Sequence, residues 1–233
     1  FNQGTAFELR KSGDRARREI GAGLKGLVID LRGNPGGLLK QSVKVADLLL
    51  TQGNIVSTRG RHADSIHNYE AGGRDLAFGL PVIVLVDGKS ASAAEIVAAA
   101  LQDRERAVVI GTSSFGKGSV QTILPMPVEG GLKLTTSLYY APTGQTIQAR
   151  GVLPDIIINP AKESKQRHEA DLPGAILAVG KKAAALKPRP QAPEGNCPEV
   201  GEKKERELGC ALAFLHAGSA KNFLAMVRQR PRI

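Results

Sequence analysis

The chain has 233 residues, a net charge of +10 and a hydrophobic content of 42%. This length suits one α/β domain with a small extra piece, and the apolar content is enough to bury a core. The basic residues are dispersed and none alternate with aromatic residues in a stacking pattern, so we predict no nucleic-acid partner. Because the chain opens at Phe1 and not at Met, we expect a fragment or a processed product.

Strands and helices alternate along the first 160 residues. Apolar runs and alternating patterns predict strands over 27–31, 81–86, 107–110, 119–124 and 132–140. Residues 53–69 are predicted to form a hairpin that turns at Gly60. Helical apolar spacing predicts helices over 5–20, 38–50 and 91–102. Strands that alternate with helices are typical of an α/β fold with a buried parallel sheet.

The pattern changes near residue 160, so we divide the chain into a core of residues 1–160 and a tail of residues 161–233. The tail is charged and rich in alanine, and we predict helices over 161–186 and 202–228. The proline-rich residues 187–193 between them are predicted to be an extended linker. On this interpretation the tail is a helical appendage and not part of the sheet.

Two features of the tail bear on partners and compartment. Leu208, Leu212 and Leu215 form one apolar stripe, which must be buried on the chain's own core or on a second copy in a homo-oligomer. Cys197 and Cys210 are consistent with one disulfide in an oxidising compartment, and two unrelated thiols remain open.

The segment SASAAEI of residues 90–96 holds a candidate nucleophile, Ser92, between a strand and a helix. A helix N-terminus offers free N–H groups, so the N–H of Ala93 is a candidate oxyanion donor. The competing interpretation is that Ser90 or Ser92 merely caps the helix, with Glu95 as its capping-box partner.

Lys117 lies in the glycine-rich segment 111–118, 25 residues after Ser92. A lysine can activate a serine if burial favours its neutral form. The segment nearly matches a phosphate-binding loop, but Gly118 stands where that loop needs a hydroxyl and a strand pattern follows. The SxxK of residues 114–117 lacks the partner motifs of its class. The histidines lie in polar contexts, which disfavours a Ser-His-Asp triad.

The turn RGNPGG of residues 32–37 follows a buried strand, and its glycines permit positive φ. Glycines at the carboxyl edge of a sheet also expose backbone N–H groups. The turn is therefore a candidate for supplying a second oxyanion donor.

Four segments in this order resemble the C-terminal processing (tail-specific) peptidases, serine proteases with a Ser/Lys dyad: residues 27–37, 90–96, 111–121 and 151–155. The resemblance implies that Ser92 is the nucleophile, Lys117 the general base and Gln121 the residue that orients the lysine. It also implies an oxyanion hole formed by the N–H of Ala93 and that of a glycine in the 33–37 turn, Gly36 or otherwise Gly37. Gln121 is four residues after Lys117, and in a strand both side chains would share a face. No cofactor or metal is implied.

The resemblance also implies a fold similar to crotonase and the Clp-type proteases, built of β-β-α units. Family members carry a PDZ domain ahead of this core, so one is expected upstream. Protein or peptide substrates and the bacterial periplasm or cell envelope are implied, and an envelope location suits a Cys197–Cys210 disulfide. The alternative is a non-catalytic scaffold or substrate-binding module that keeps the protease fold.

Overall fold

The structure, a computed structural model, describes residues 1–127, 129–160, 166–179 and 188–228. Its α-helices are α1 (Thr5–Ile20), α2 (Leu39–Asp47), α3 (Ala93–Asp103), α4 (Arg206–Ala217) and α5 (Ala220–Arg228). Its strands are β1 (Leu27–Asp30), β2 (Gly53–Gly60), β3 (His67–Ala71), β4 (Val82–Val86), β5 (Ala107–Gly111), β6 (Ser119–Pro125), β7 (Gly131–Tyr140), β8 (Ile156–Asn159) and β9 (Gln191–Pro193).

The strands form two sheets. The larger has the order β1-β4-β5-β8-β9 with every pairing parallel, and the smaller has the order β3-β2-β7-β6 with every pairing antiparallel. The predicted α/β class and the hairpin over residues 53–69 are confirmed. The finer prediction of crotonase- and Clp-like β-β-α units stays a prediction.

The central strand β4 shows why the parallel sheet needs cover on both faces. All five of its residues are buried. Val82, Val84 and Val86 belong to the apolar core that contains α2 and α3, while Ile83 and Leu85 belong to a second core with α4 and α5. Side chains of a strand alternate between faces, so an unbroken apolar run requires a helical layer on each side.

The prediction that the tail is no part of the sheet is wrong, and the tail's helices supply that second layer. Gln191–Pro193 extend the sheet as β9, parallel to β8, where the sequence had suggested only a linker. The helical prediction for 202–228 is confirmed as two helices, which separate where Gly218 adopts a left-handed conformation (φ 70°).

The helix predicted over residues 161–186 is also wrong where the structure describes it. Residues 166–179 contain one short 3-10 turn, Glu169–Asp171, and otherwise irregular backbone. Pro173 and Gly174 explain the break, since proline clashes with the preceding helical turn and glycine disfavours a helix interior. The rest of that predicted helix lies outside the described residues.

The predicted leucine stripe on α4 is only partly correct. Leu208 and Leu215 pack against the second core, but Leu212 is 44% exposed. The buried face of the helix is instead centred on Cys210 and Phe214. The helix is thus covered largely by its own chain, and a homo-oligomer through the tail stays a prediction.

Cys197 and Cys210 form a disulfide, with their Cα atoms 5.0 Å apart. Both residues are buried, and the bond fixes α4 to the segment that follows β9. The sequence left open either one disulfide or two unrelated thiols, and the structure contains the disulfide.

We expect the double substitution Cys197→Ala/Cys210→Ala to lower the free energy of unfolding by about 2–4 kcal/mol, because the unfolded chain loses a cross-link. Urea denaturation followed by circular dichroism measures the change. The native chain in reductant should unfold near the midpoint of the variant. Equal midpoints for the oxidised native chain and the variant would contradict a stabilising bond.

Deleting residues 187–233 should unfold the chain, in contrast to the expectation that a separate appendage could be removed. The deletion takes away β9, α4 and α5 and exposes the face of the sheet that carries Ile83 and Leu85. Buried apolar area is the main stabilising contribution in folding. Dye binding to exposed apolar surface, with loss of near-ultraviolet circular dichroism, is the expected result. A soluble truncated chain with native spectra would refute this packing argument.

Candidate active site

Ser92 lies at the N-cap of α3, where β4 has ended and the chain turns into the helix. Its backbone has φ 55° and ψ −114°, which is unfavourable for a residue with a side chain. Such strained residues cost on the order of 1–3 kcal/mol and concentrate at functional sites. The capping interpretation is confirmed for Ser92 and Glu95, which form a capping box, and the nucleophile role of Ser92 stays a prediction to which the strained backbone adds support.

Ser90 does not cap the helix. Its hydroxyl donates to the Leu31 carbonyl oxygen at 2.7 Å, and it accepts from the Asp87 N–H at 3.0 Å. These bonds connect the turn before α3 to the end of β1. Ser90 thus helps to hold the turn that carries Ser92.

The glycine turn after β1 packs directly against the start of α3. Gly36 has φ 101°, and a Cβ on it would lie 2.8 Å from both the Ala93 nitrogen and the Ser92 Cβ, so only glycine fits. The N–H of Gly36 donates to Asn34 Oδ1 at 2.9 Å, which competes with an oxyanion. The Ala93 N–H begins the helix and has no acceptor within it. Ala93, Gly36 and Gly37 as oxyanion donors stay predictions.

The same turn is tied to the tail by an arginine. Arg32 pairs with Asp30 at 2.6 Å and with Glu205 and Glu207 at 2.8 Å each. Burial alone would raise the pKa of Asp30, but the hydrogen bonds from Arg32 outweigh it and hold that pKa below its ordinary value. The residues that begin α4 therefore help to position the glycine turn.

The Glu95 carboxylate joins the serine turn to the lysine loop. Its side chain is fully buried and accepts four hydrogen bonds. The donors and distances are Ser92 N–H (2.7 Å), Ser114 Oγ–H (2.6 Å), Gly116 N–H (2.6 Å) and Lys117 N–H (2.9 Å). Two loops that follow different strands are thus held by one side chain.

Burial raises the pKa of Glu95, and the four donors oppose that rise. A carboxylate with four donors uses nearly all its acceptor sites, so it is well suited to the charged form. The Ser114 hydroxyl in turn accepts from the Val152 N–H at 2.7 Å. The network therefore reaches the fourth motif segment, residues 151–155.

Lys117 lies in the loop between β5 and β6, with 40% of its side chain exposed. Its Nζ is 3.7 Å from Glu169 Oε1 and forms an ion pair with it, without a hydrogen bond to Ser92 Oγ. The structure brings the backbones of Ser92 and Lys117 onto one carboxylate. The contact between their reactive atoms stays a prediction.

Gln121 does not reach the lysine in this arrangement. Its amide Nε2 donates to Thr135 Oγ1 at 2.7 Å and to Ser119 Oγ at 3.3 Å. The alternation argument fails because Lys117 lies before β6 begins at Ser119, so the two side chains are not in one strand. The lysine-orienting role of Gln121 stays a prediction.

No sequence motif indicated that the tail contacts the lysine loop. The Glu169 N–H donates to the Phe115 carbonyl oxygen at 2.9 Å, and His168 Nδ1 lies 3.0 Å from the Ser114 carbonyl oxygen. No motif contains Glu169, and His168 lies at the N-cap of the short 3-10 turn of Glu169–Asp171. Glu95 could be found as a capping partner, but its bonds to the lysine loop could not.

The family profile of peptidase family S41 matches residues 1–158. The chain belongs to this family. A carboxy-terminal-processing protease of Bartonella bacilliformis is 53% identical over 150 residues, which are 64% of this chain and 35% of that protein. A carboxyl-terminal-processing protease of Picosynechococcus is 37% identical over 158 residues, which are 68% and 37% of the two chains.

The solved structure of a photosystem II D1 C-terminal processing protease shares the fold. It has a TM-score of 0.61 and 33% identity, over 67% of this chain and 40% of that chain. The chain thus spans little more than a third of the length of these family members. The resemblance to C-terminal processing peptidases is confirmed, and Glu169 lies beyond the part that matches the S41 profile.

We expect Glu95→Gln to lower the free energy of unfolding by more than about 3 kcal/mol, since an amide cannot accept from four donors and buried groups left unpaired are costly. The serine turn and the lysine loop should also separate, so the reaction of Ser92 with a fluorophosphonate probe should be lost. Thermal unfolding and probe labelling measure the two effects. Glu70→Gln, at an exposed position, is the matched control. A variant as stable and as reactive as the native chain would contradict the clamp.

Proposed function

We propose that this chain is the catalytic part of a serine endopeptidase of the C-terminal processing type, with Ser92 as nucleophile and Lys117 as general base. The observation that carries the proposal is the Glu95 carboxylate, which accepts from the backbone N–H groups of both residues. Membership of the S41 family and the strained backbone of Ser92 add support. A scaffold would have no use for that strain or for a buried charge between these loops.

The reaction proceeds through an acyl-enzyme. Ser92 Oγ attacks the carbonyl carbon of a peptide bond while neutral Lys117 Nζ accepts the hydroxyl proton. The Ala93 N–H and a glycine N–H of the 33–37 turn stabilise the resulting oxyanion. Lys117 then protonates the leaving amine, and a water hydrolyses the ester. Gln121 orients the lysine after its amide leaves Thr135.

The substrates are unfolded or tail-exposed proteins, as the names of the related proteases suggest. Those relatives are almost three times as long as the matched region, which leaves room for an upstream PDZ domain that captures substrate tails. The disulfide suits an oxidising compartment such as the bacterial periplasm or cell envelope. Among the described residues, no helix is both long and apolar enough to cross a membrane.

Ser92→Ala and Lys117→Ala should each abolish cleavage of a fluorescently labelled unfolded protein by the full-length protease, because each removes a group that takes part in bond breaking. Gel electrophoresis follows the cleavage, and circular dichroism checks that the variants remain folded. Lys89→Ala, an exposed lysine ahead of the same helix, is the control and should cleave normally. Full activity in either site variant would refute the assignment.

A further inference from the structure

The ion pair of Lys117 comes from outside the matched family region. Its partner is Glu169, in a segment of residues 166–172 that lies against the lysine loop. The Glu169 N–H donates to the Phe115 carbonyl oxygen, and the His168 ring contacts the Ser114 carbonyl oxygen. Both carbonyl groups lie two or three residues before Lys117. The segment is thus fixed to the loop by both backbone and side-chain contacts.

Glu169 is 7% exposed, and its carboxylate has few partners. Oε1 accepts from Gln148 Nε2 at 3.1 Å, whereas Oε2 is buried without a hydrogen-bond partner among the residues described. Lys117 supplies the positive charge that this carboxylate faces at 3.7 Å. A largely buried carboxylate needs a nearby donor or positive charge, and the Lys117 ammonium group is one that this carboxylate contacts.

The proposed mechanism requires the opposite state of the lysine. A general base must be neutral to accept the proton of the Ser92 hydroxyl, and a carboxylate beside an ammonium favours the charged form. The observed pairing also directs Nζ to Glu169 and not to Ser92 Oγ. The conformation seen here is therefore a resting one.

The segment is well suited to leave, because little apolar surface holds it. None of residues 166–179 belongs to either hydrophobic core. Leu172 in the segment is instead exposed, and so are three large apolar side chains that follow it: Ile176, Leu177 and Val179. Regions held by a few hydrogen bonds and little apolar contact open locally at low cost compared with global unfolding.

We propose that residues 166–172 form an autoinhibitory latch, in which Glu169 holds the Lys117 ammonium group turned away from Ser92 until the segment moves. This inference rests on the proposed function, because it gives Lys117 the role of general base. It adds a positioning residue that acts only through Lys117. An unfolded substrate tail that displaces the segment would release the base at the moment it is needed.

The test compares the rate at which a fluorophosphonate probe labels Ser92 in the full-length protein and in Glu169→Gln. In this reaction the bond from Oγ to phosphorus forms, fluoride leaves, and the hydroxyl proton passes to Lys117. The variant keeps an acceptor for Gln148 but has no charge to hold the ammonium. Labelling should become about threefold to tenfold faster, in keeping with a partly exposed ion pair.

Salt provides a second readout that a purely structural role would not move. Raising the sodium chloride concentration from about 0.05 M to about 1 M screens the pair, so labelling of the native protein should accelerate. The Glu169→Gln protein should respond little. Glu202→Gln makes the same charge change at an exposed position of the tail and should behave as the native protein.

The outcomes separate the two proposals. Labelling that persists in Ser92→Ala and Lys117→Ala refutes the proposed function itself. If those variants are inert but Glu169→Gln labels no faster than the native protein, the latch is overturned. Glu169→Ala is the second variant in case the first fails to fold, as judged by thermal unfolding. If neither folds, a native rate that is indifferent to salt overturns the latch.

Discussion

A single buried carboxylate holds the two halves of this site together. Glu95 has no exposed surface, and taking a charge out of water is expensive unless donors replace the lost hydration. Here the donors are the N–H groups of Ser92, Gly116 and Lys117 and the Ser114 hydroxyl. Satisfying that carboxylate requires both loops to be in place at once. The strained backbone of Ser92 persists because its own N–H is part of this arrangement.

The parallel sheet explains why these loops can meet at all. β1, β4 and β5 are neighbours, so their carboxyl ends open at one edge and carry the glycine turn, the serine turn and the lysine loop. Ligand sites of α/β proteins lie at this edge for the same reason. The sheet keeps its shape only if both faces are covered, and α4 and α5 cover the second face. The tail therefore supports the site although neither Ser92 nor Lys117 lies in it.

The sequence predicted what depends on local pattern and missed what depends on long-range contact. The apolar run of β4 and the small residues of α3 were sufficient to locate Ser92, and the glycines around Lys117 marked its loop. β9 was missed because Gln191–Pro193 lie in a proline-rich stretch, which is typical of a linker. Only its pairing with β8, which is distant in sequence, makes it a strand. The Lys117–Glu169 pair joins residues that no motif connects.

Two carboxylates act on Lys117 in different ways, and their surroundings match the difference. Glu95 binds the lysine's backbone N–H from within the core, so it fixes position and is indifferent to the charge on Nζ. Glu169 contacts Nζ itself and belongs to a segment outside both apolar cores, so the contact can be removed without disturbing those cores. For the protease proposed above, this division keeps the geometry of the site fixed while the base is withheld. Leu172, an exposed apolar side chain on the latch at 37% exposure, offers a displacing chain an apolar contact.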